Sequence, residues 1–169
     1  NQKLRKGEFG KVLGADCYSP ASREKSHPDF GWYGIHGVET LFTIMGTGCV
    51  SVNRMSAEGT DVVVGLWGDG RIGTFRGRRT GKSIYGGTAF TDKGAEPVGP
   101  YQGYEVLLTE ILNFFKTRIA PVPEEETLEI FTFMEASNES KRNEGRIILM
   151  EDTYRKGLAE AKKLLSELK

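Results

Sequence analysis

The chain has 169 residues, 38% hydrophobic and 27% charged, with 22 glycines. A fold of that length buries roughly 70% of the surface its unfolded chain exposes, so neither a disulfide scaffold nor global disorder is implied. The 23 Lys and Arg balance 23 Asp and Glu, which leaves no net field to gather a polyanion and argues against a dedicated nucleic-acid binder.

Leu4 to Gly10 reads as the end of a helix broken at Gly7 and Gly10, and Lys11 to Tyr18 as a strand closed by Pro20. The opening Asn1-Gln-Lys lacks an initiator Met, as in a piece of a longer polypeptide. The sequence shows no targeting segment and no apolar run long enough for a bilayer, so no membrane partner is expected; the compartment of the parent is left unknown, with the cytoplasm slightly favoured. Residues 19–32 form a polar, turn-rich loop. It leads into a short amphipathic helix at Tyr33-Gly-Ile-His36-Gly-Val-Glu39-Thr-Leu-Phe-Thr-Ile-Met45. Ile35, Val38, Leu41, Phe42 and Met45 recur as an apolar stripe, while His36, Glu39, Thr40 and Thr43 share the other face, so the imidazole points off the core. His27 and His36 are the only histidines, hence the only side chains whose ordinary pKa lies near neutrality.

Four β-like runs follow, Cys49–Ala57, Thr60–Trp67, Arg71–Arg76 and Lys82–Thr91, which predict an antiparallel meander. Gly68-Asp-Gly70-Arg-Ile-Gly73 matches the dinucleotide fingerprint by letter, yet Arg71–Arg76 continues with period two where a helix should begin, so a hairpin turn is the better reading. Gly77-Arg-Arg-Thr-Gly81-Lys82-Ser83 is one residue short of a P-loop and reads as a solvated turn carrying Arg76, Arg78, Arg79 and Lys82. Cys17 and Cys49 lie in separate apolar runs and read as buried free thiols, with no metal site.

The last third changes period. Tyr104, Leu107, Leu108, Ile111, Leu112, Phe115 and Ile119 predict a buried helix ended at Pro121-Val-Pro123. A second helix opens on Glu124, Glu125 and Glu126, closes on Lys141 and Arg142, and so complements its macrodipole at both ends. Arg146 to Met150 reads as a short strand. A terminal helix over 151–169 should turn Leu158, Ala161, Leu165 and Leu168 inward. The expected fold is one α+β domain over 1–169, with a mostly antiparallel open sheet and helices packed on one face.

The order of Gly7-Glu-Phe-Gly10-Lys-Val, Gly34-Ile-His36, the meander, Glu129-Ile-Phe-Thr-Phe-Met-Glu-Ala-Ser137 and Gly145-Arg-Ile-Ile-Leu resembles the C-terminal domain of the glucose–fructose oxidoreductase, inositol dehydrogenase and rhizopine catabolism family. The resemblance implies a substrate-binding and oligomerisation domain of an NAD(P)-dependent sugar or cyclitol oxidoreductase. Residues 1–10 would be the remnant of a connecting helix, and this chain would bind no cofactor and be inactive without its nucleotide-binding half. It further implies homo-oligomerisation through the open sheet face. The family uses an Asp-x-x-x-His pair; His36 matches the histidine, but Trp32 stands at the aspartate's place. His36 is therefore the candidate catalytic residue, with Trp32, Tyr33 and Asp29 as candidate substrate contacts. Two other readings stay open: a non-catalytic carbohydrate-binding or oligomerisation module, and part of an NAD-dependent glycosidase.

Overall fold

The computed structural model describes residues 7–99 and 103–168. Among them the strands are β1 Val12–Pro20, β2 Cys49–Ala57, β3 Thr60–Trp67, β4 Ile72–Arg78, β5 Gly86–Thr91, β6 Gly94–Val98 and β7 Ile148–Leu149. The helices are α1 Gly34–Met45, α2 Glu105–Thr117, α3 Glu124–Arg142 and α4 Met150–Glu167. The strands form one open sheet in the order β6-β5-β1-β4-β3-β2-β7. Only β1 and β4 pair in parallel; the other ladders are antiparallel. The fold is α+β, as expected.

The core follows from α1. Val38, Leu41, Phe42 and Met45 are buried and meet the inward residues of the central strands. Gly37 lets α1 approach β4 closely, since a side-chain carbon there would overlap the Phe75 ring and lie 2.8 Å from Ser19 Oγ. Phe42 packs edge-on against Phe133 of α3 at 5.5 Å, and Trp67 donates its indole N–H to the Gly46 carbonyl at 3.0 Å. Gly46, at φ 72°, ends α1 and donates its N–H to the Phe42 carbonyl, a left-handed closure that glycine adopts without a steric penalty.

Several boundaries differ from expectation. The strand expected over Lys82–Thr91 begins only at Gly86, β6 was not foreseen, and β1 separates β4 from β5, so the four expected strands do not form a continuous meander. The insertion rests on distant pairings such as Cys17 with Phe75 and Ala15 with Ala89, which local periodicity does not encode. The Gly68–Gly73 stretch turns β3 into β4, with the Trp67 N–H bonded to the Arg71 carbonyl at 2.8 Å.

The two C-terminal expectations of burial fail. None of the residues of α2 is buried, and Leu107, Leu108, Ile111, Leu112 and Phe115 are all exposed. In α4 only Met150 and Thr153 are buried, so Leu158, Ala161, Leu165 and Leu168 do not face inward. An apolar stripe shows that a helix has a face to cover, not what covers it. Leu4 lies outside the described residues; Gly7 to Gly10 form a turn closed by a 3.0 Å bond. Among the described residues no helix is long and apolar enough to cross a membrane.

Cys17 and Cys49 are buried free thiols. Burial, followed by the neighbouring Asp16 and Glu129 respectively, pushes both up to about 12. Because the thiolate is the reactive form, native protein should leave both unmodified by iodoacetamide at neutral pH. Labelling at the rate of the urea-unfolded chain would contradict this placement.

Candidate functional site

Chain direction places the site. α1 starts where the 21–33 loop, leaving the C-terminal end of β1, returns toward the sheet, and the 79–85 loop leaves the same end of the parallel neighbour β4. The polar face of α1 therefore opens beside both loops. His36 Nδ1 lies 3.1 Å from Glu39 Oε2, with the two side chains 53% and 50% exposed. With the proton on Nδ1, the ring donates to this carboxylate and Nε2 keeps its lone pair.

Around the imidazole the rings form a continuous file. His27 lies 4.8 Å from Trp32, Trp32 stands edge-on to Tyr33 at 5.4 Å, and Tyr33 is edge-on to His36 at 6.2 Å. Tyr85 completes it at 6.2 Å from His36; burial and then the nearby Tyr33 raise its phenol above the ordinary value. Ser19 Oγ donates to the Tyr33 carbonyl at 3.3 Å, tying this file to β1. The structure thus brings together three sequence candidates, His36, Trp32 and Tyr33. Three members of the cluster were not site candidates: His27, which the sequence singled out only as a second histidine, Glu39 and Tyr85. Glu39 had a visible signal, three residues along the same helical face as His36, whereas Tyr85 comes from a loop with no local signature.

The fourth candidate, Asp29, does not reach His36. Its carboxylate lies 2.8 Å from Arg54 Nη2, 2.7 Å from Arg79 Nη2 and 3.4 Å from Lys141 Nζ. Arg54 is fully buried and also donates through Nε and Nη2 to Asp61 at 2.9 and 2.7 Å, and through Nη1 to Asn138 at 2.8 Å. Its guanidinium stacks 4.0 Å over the Phe30 ring. Arg79, expected on a solvated turn, is drawn into this cluster because it pairs with Asp29 and Asp61. Burial alone would raise both aspartates. For Asp29 the hydrogen bond and charge of Arg54, then Arg79, outweigh it and hold the carboxyl well below the usual carboxylate range. For Asp61 the bonds from Ser56, Arg79 and Arg54 do the same.

These directions give a pH dependence. A carboxyl depressed in the fold stabilises it above the unfolded value, 3.8 for both groups, and that contribution is lost as pH falls below it. Glu129 has the opposite sign: burial raises it from 4.5 despite the N–H groups of Cys49 and Gly48, so its contribution fades as pH rises. Urea midpoints should therefore change little between neutrality and about pH 5, then fall steeply below about pH 4. The fall should be shallower in Asp29→Asn, and a midpoint independent of acid would refute the clamped carboxylates.

Two clefts, of about 420 and 300 Å³, lie elsewhere; Thr43, Met45 and Glu125 line the first, at the C-terminal end of α1, and Cys49, Glu129 and Tyr154 the second, between the start of β2 and helices α3 and α4. Neither is lined by an imidazole, and the His36–Glu39 pair is half exposed. Among the described residues, no three His, Cys, Asp or Glu converge as metal ligands.

No protein-family model matches the sequence, and no curated protein matches it. Solved structures do. Scyllo-inositol dehydrogenase from Lactobacillus casei, with bound NAD(H) and scyllo-inositol, superposes with TM-score 0.72 at 12% identity, over 89% of this chain and 60% of its own. The myo-inositol dehydrogenase of the same organism, in complex with NAD(H) and myo-inositol, gives 0.69 at 11% over 88% and 56%. UDP-N-acetylglucosamine 3-dehydrogenase from Acidithiobacillus ferrooxidans gives 0.62 at 13% over 82% and 56%. The chain has a fold found in inositol dehydrogenases. It spans no more than about three-fifths of each of these relatives, consistent with a C-terminal domain. At such identities the likeness concerns the inositol-dehydrogenase fold and leaves residue roles to the site itself.

Proposed function

We propose that this chain is the substrate-binding and oligomerisation part of an NAD(P)-dependent oxidoreductase acting on a sugar or cyclitol. The observation that carries the reading is the exposed His36–Glu39 pair, set beside an aromatic file on a fold shared with dehydrogenases of inositols and a nucleotide sugar. His36 serves as the base: with Nδ1–H held by Glu39, Nε2 accepts the proton of the substrate hydroxyl. Glu39 takes over the orienting role of the family's aspartate, whose place Trp32 occupies. Trp32 and Tyr33, 43% and 40% exposed, offer apolar ring faces to the C–H face of a polyol. A nicotinamide accepts hydride in such chemistry, and we assign its binding to another part of the parent protein. The hairpin geometry of Gly68–Gly73, with no helix opening on it, favours that assignment.

The open sheet face supports the oligomer. Leu13, Met55, Leu66, Ile72 and Phe90 are exposed, and the registers place Val62, Val64 and Leu66 opposite Arg76, Thr74 and Ile72 on the side away from the helices. That is an apolar band of the kind a second copy covers. Sedimentation of the protein as a strict monomer would remove this part of the proposal.

The test of the substrate role uses the chain itself. Titration with scyllo-inositol, myo-inositol and common hexoses should shift the Trp32 indole and His36 imidazole resonances, while mixtures with NAD or NADP produce no reduced cofactor. Substrate-dependent NADH formation by the chain alone would overturn the division of labour. Ring resonances unmoved by the whole panel would overturn the substrate assignment.

A further inference from the structure

The exposed lobe that carries Arg23, Lys25 and His27 is closed at its neck by one side chain. Arg79 donates through Nη1 to the carbonyl of Ala21, where the lobe leaves the sheet. Its Nη2 sits 2.7 Å from Asp29 Oδ1, where the lobe returns, as a close ion pair off the N–H axis. Its Nε bonds to Asp61, which anchors the guanidinium to β3. Residues 22–28 between these two points are all exposed, and their ends are tied to the sheet by this closure, by the Arg54 pair with Asp29 Oδ2 at 2.8 Å and by the Ala21 N–H bond to the Arg78 carbonyl at 2.8 Å.

The corner that follows is strained. Phe30 has φ 66°, a left-handed conformation that costs a non-glycine residue free energy and persists only where its surroundings over-determine it. Here they do. The Phe30 N–H donates to Asp29 Oδ1 at 3.0 Å, and its carbonyl accepts from Ile35 N–H at 2.8 Å. Its ring is covered by the guanidiniums of Arg54 at 4.0 Å and Arg79 at 4.8 Å and stands edge-on to Phe75 at 5.2 Å. Trp32, Tyr33 and the first turn of α1 follow directly.

We infer that Arg79 and Asp29 are positioning residues: together they cinch the 21–29 lobe and hold the Phe30 corner left-handed, which sets the Trp32–Tyr33–His36 surface. Asp29 acts on the site through the backbone and not as a ligand. The value of that surface for a polyol rests on the function proposed above; the clamp itself does not.

The experiment is amide hydrogen exchange with indole resonances, read without ligand on Arg79→Met, Arg79→Lys and Asp29→Asn. In Arg79→Met and Asp29→Asn, exchange over residues 29–36 should rise about tenfold or more while β3 and β4 amides keep their protection. The Trp32 indole signal should move and that of Trp67, bonded to Gly46, should stay. Arg79→Lys should not restore the wild-type pattern, because one ammonium cannot span a carbonyl and two carboxylates as a planar fork does. Asp29→Asn keeps the Arg54–Asp61–Arg79 contacts, so it reports even if Arg79→Met fails to fold. Exchange over 29–36 that is unchanged in Asp29→Asn, or that rises only in proportion to β3 and β4, would overturn the inference.

Discussion

Arg54→Met should destabilise the fold by about 3–5 kcal/mol, the range for breaking a buried ion pair by removing one partner. The Arg54 and Asp61 side chains are both fully buried, and Asp61 receives two of the guanidinium's N–H groups. Met fills much of the volume against Phe30 but donates nothing, so Asp61 would be left to Arg79, Ser56 and the more distant Lys141, and Asn138 Oδ1 would lose its Arg54 donor. Urea unfolding measures the loss, and a change below about 1 kcal/mol would place the pair among those that surface-like screening makes worthless. Because the partners share one network, Arg54→Met with Asp61→Asn should cost less than the sum of the two single changes. Strict additivity would mean that the two side chains do not interact.

This cluster also marks where the sequence stops being legible. Strict alternation from Cys49 would put Ser51, Asn53 and Met55 on the core side of β2. A bulge between Cys49 and Ser51 shifts the register against β3, so Cys49 and Ser51 are buried and beyond them Val52 and Arg54, while Met55 is 75% exposed. A one-residue slip exchanges the faces of a strand, and nothing local in Cys49-Val-Ser-Val-Asn-Arg54 announces it. The bounds of β2 and β3 were readable because Glu58-Gly59 and Gly68-Asp-Gly70 punctuate them. The polar face of α1 was readable because its 3.6-residue period is self-contained. The Asp29 to Arg54 and Arg79 pairings were not, since they join residues 25 and 50 positions apart across a loop. The apolar face of α2 was visible in sequence, but its exposure depends on what packs against it.

On the proposed function, His36→Ala in the complete parent enzyme should lower kcat by roughly 10²–10⁴-fold, the usual contribution of a positioned general base. KM should change much less, because the imidazole acts on the hydroxyl proton and supplies little of the ring contact. Glu39→Gln should lose far less. Its amide oxygen can still accept from Nδ1–H and hold the same tautomer, whereas Glu39→Leu cannot. Trp32→Ala provides the contrasting signature, a raised KM with a smaller change in kcat, since it removes a binding face common to ground and transition states. Steady-state rates with the polyol that perturbs the ring resonances discriminate among these outcomes. If His36→Ala keeps kcat within about tenfold of wild type, the proton is taken elsewhere. The His36–Glu39 pair would then be an exposed helical contact of the ordinary kind, worth about 0.2–0.5 kcal/mol, and the surface would serve binding alone.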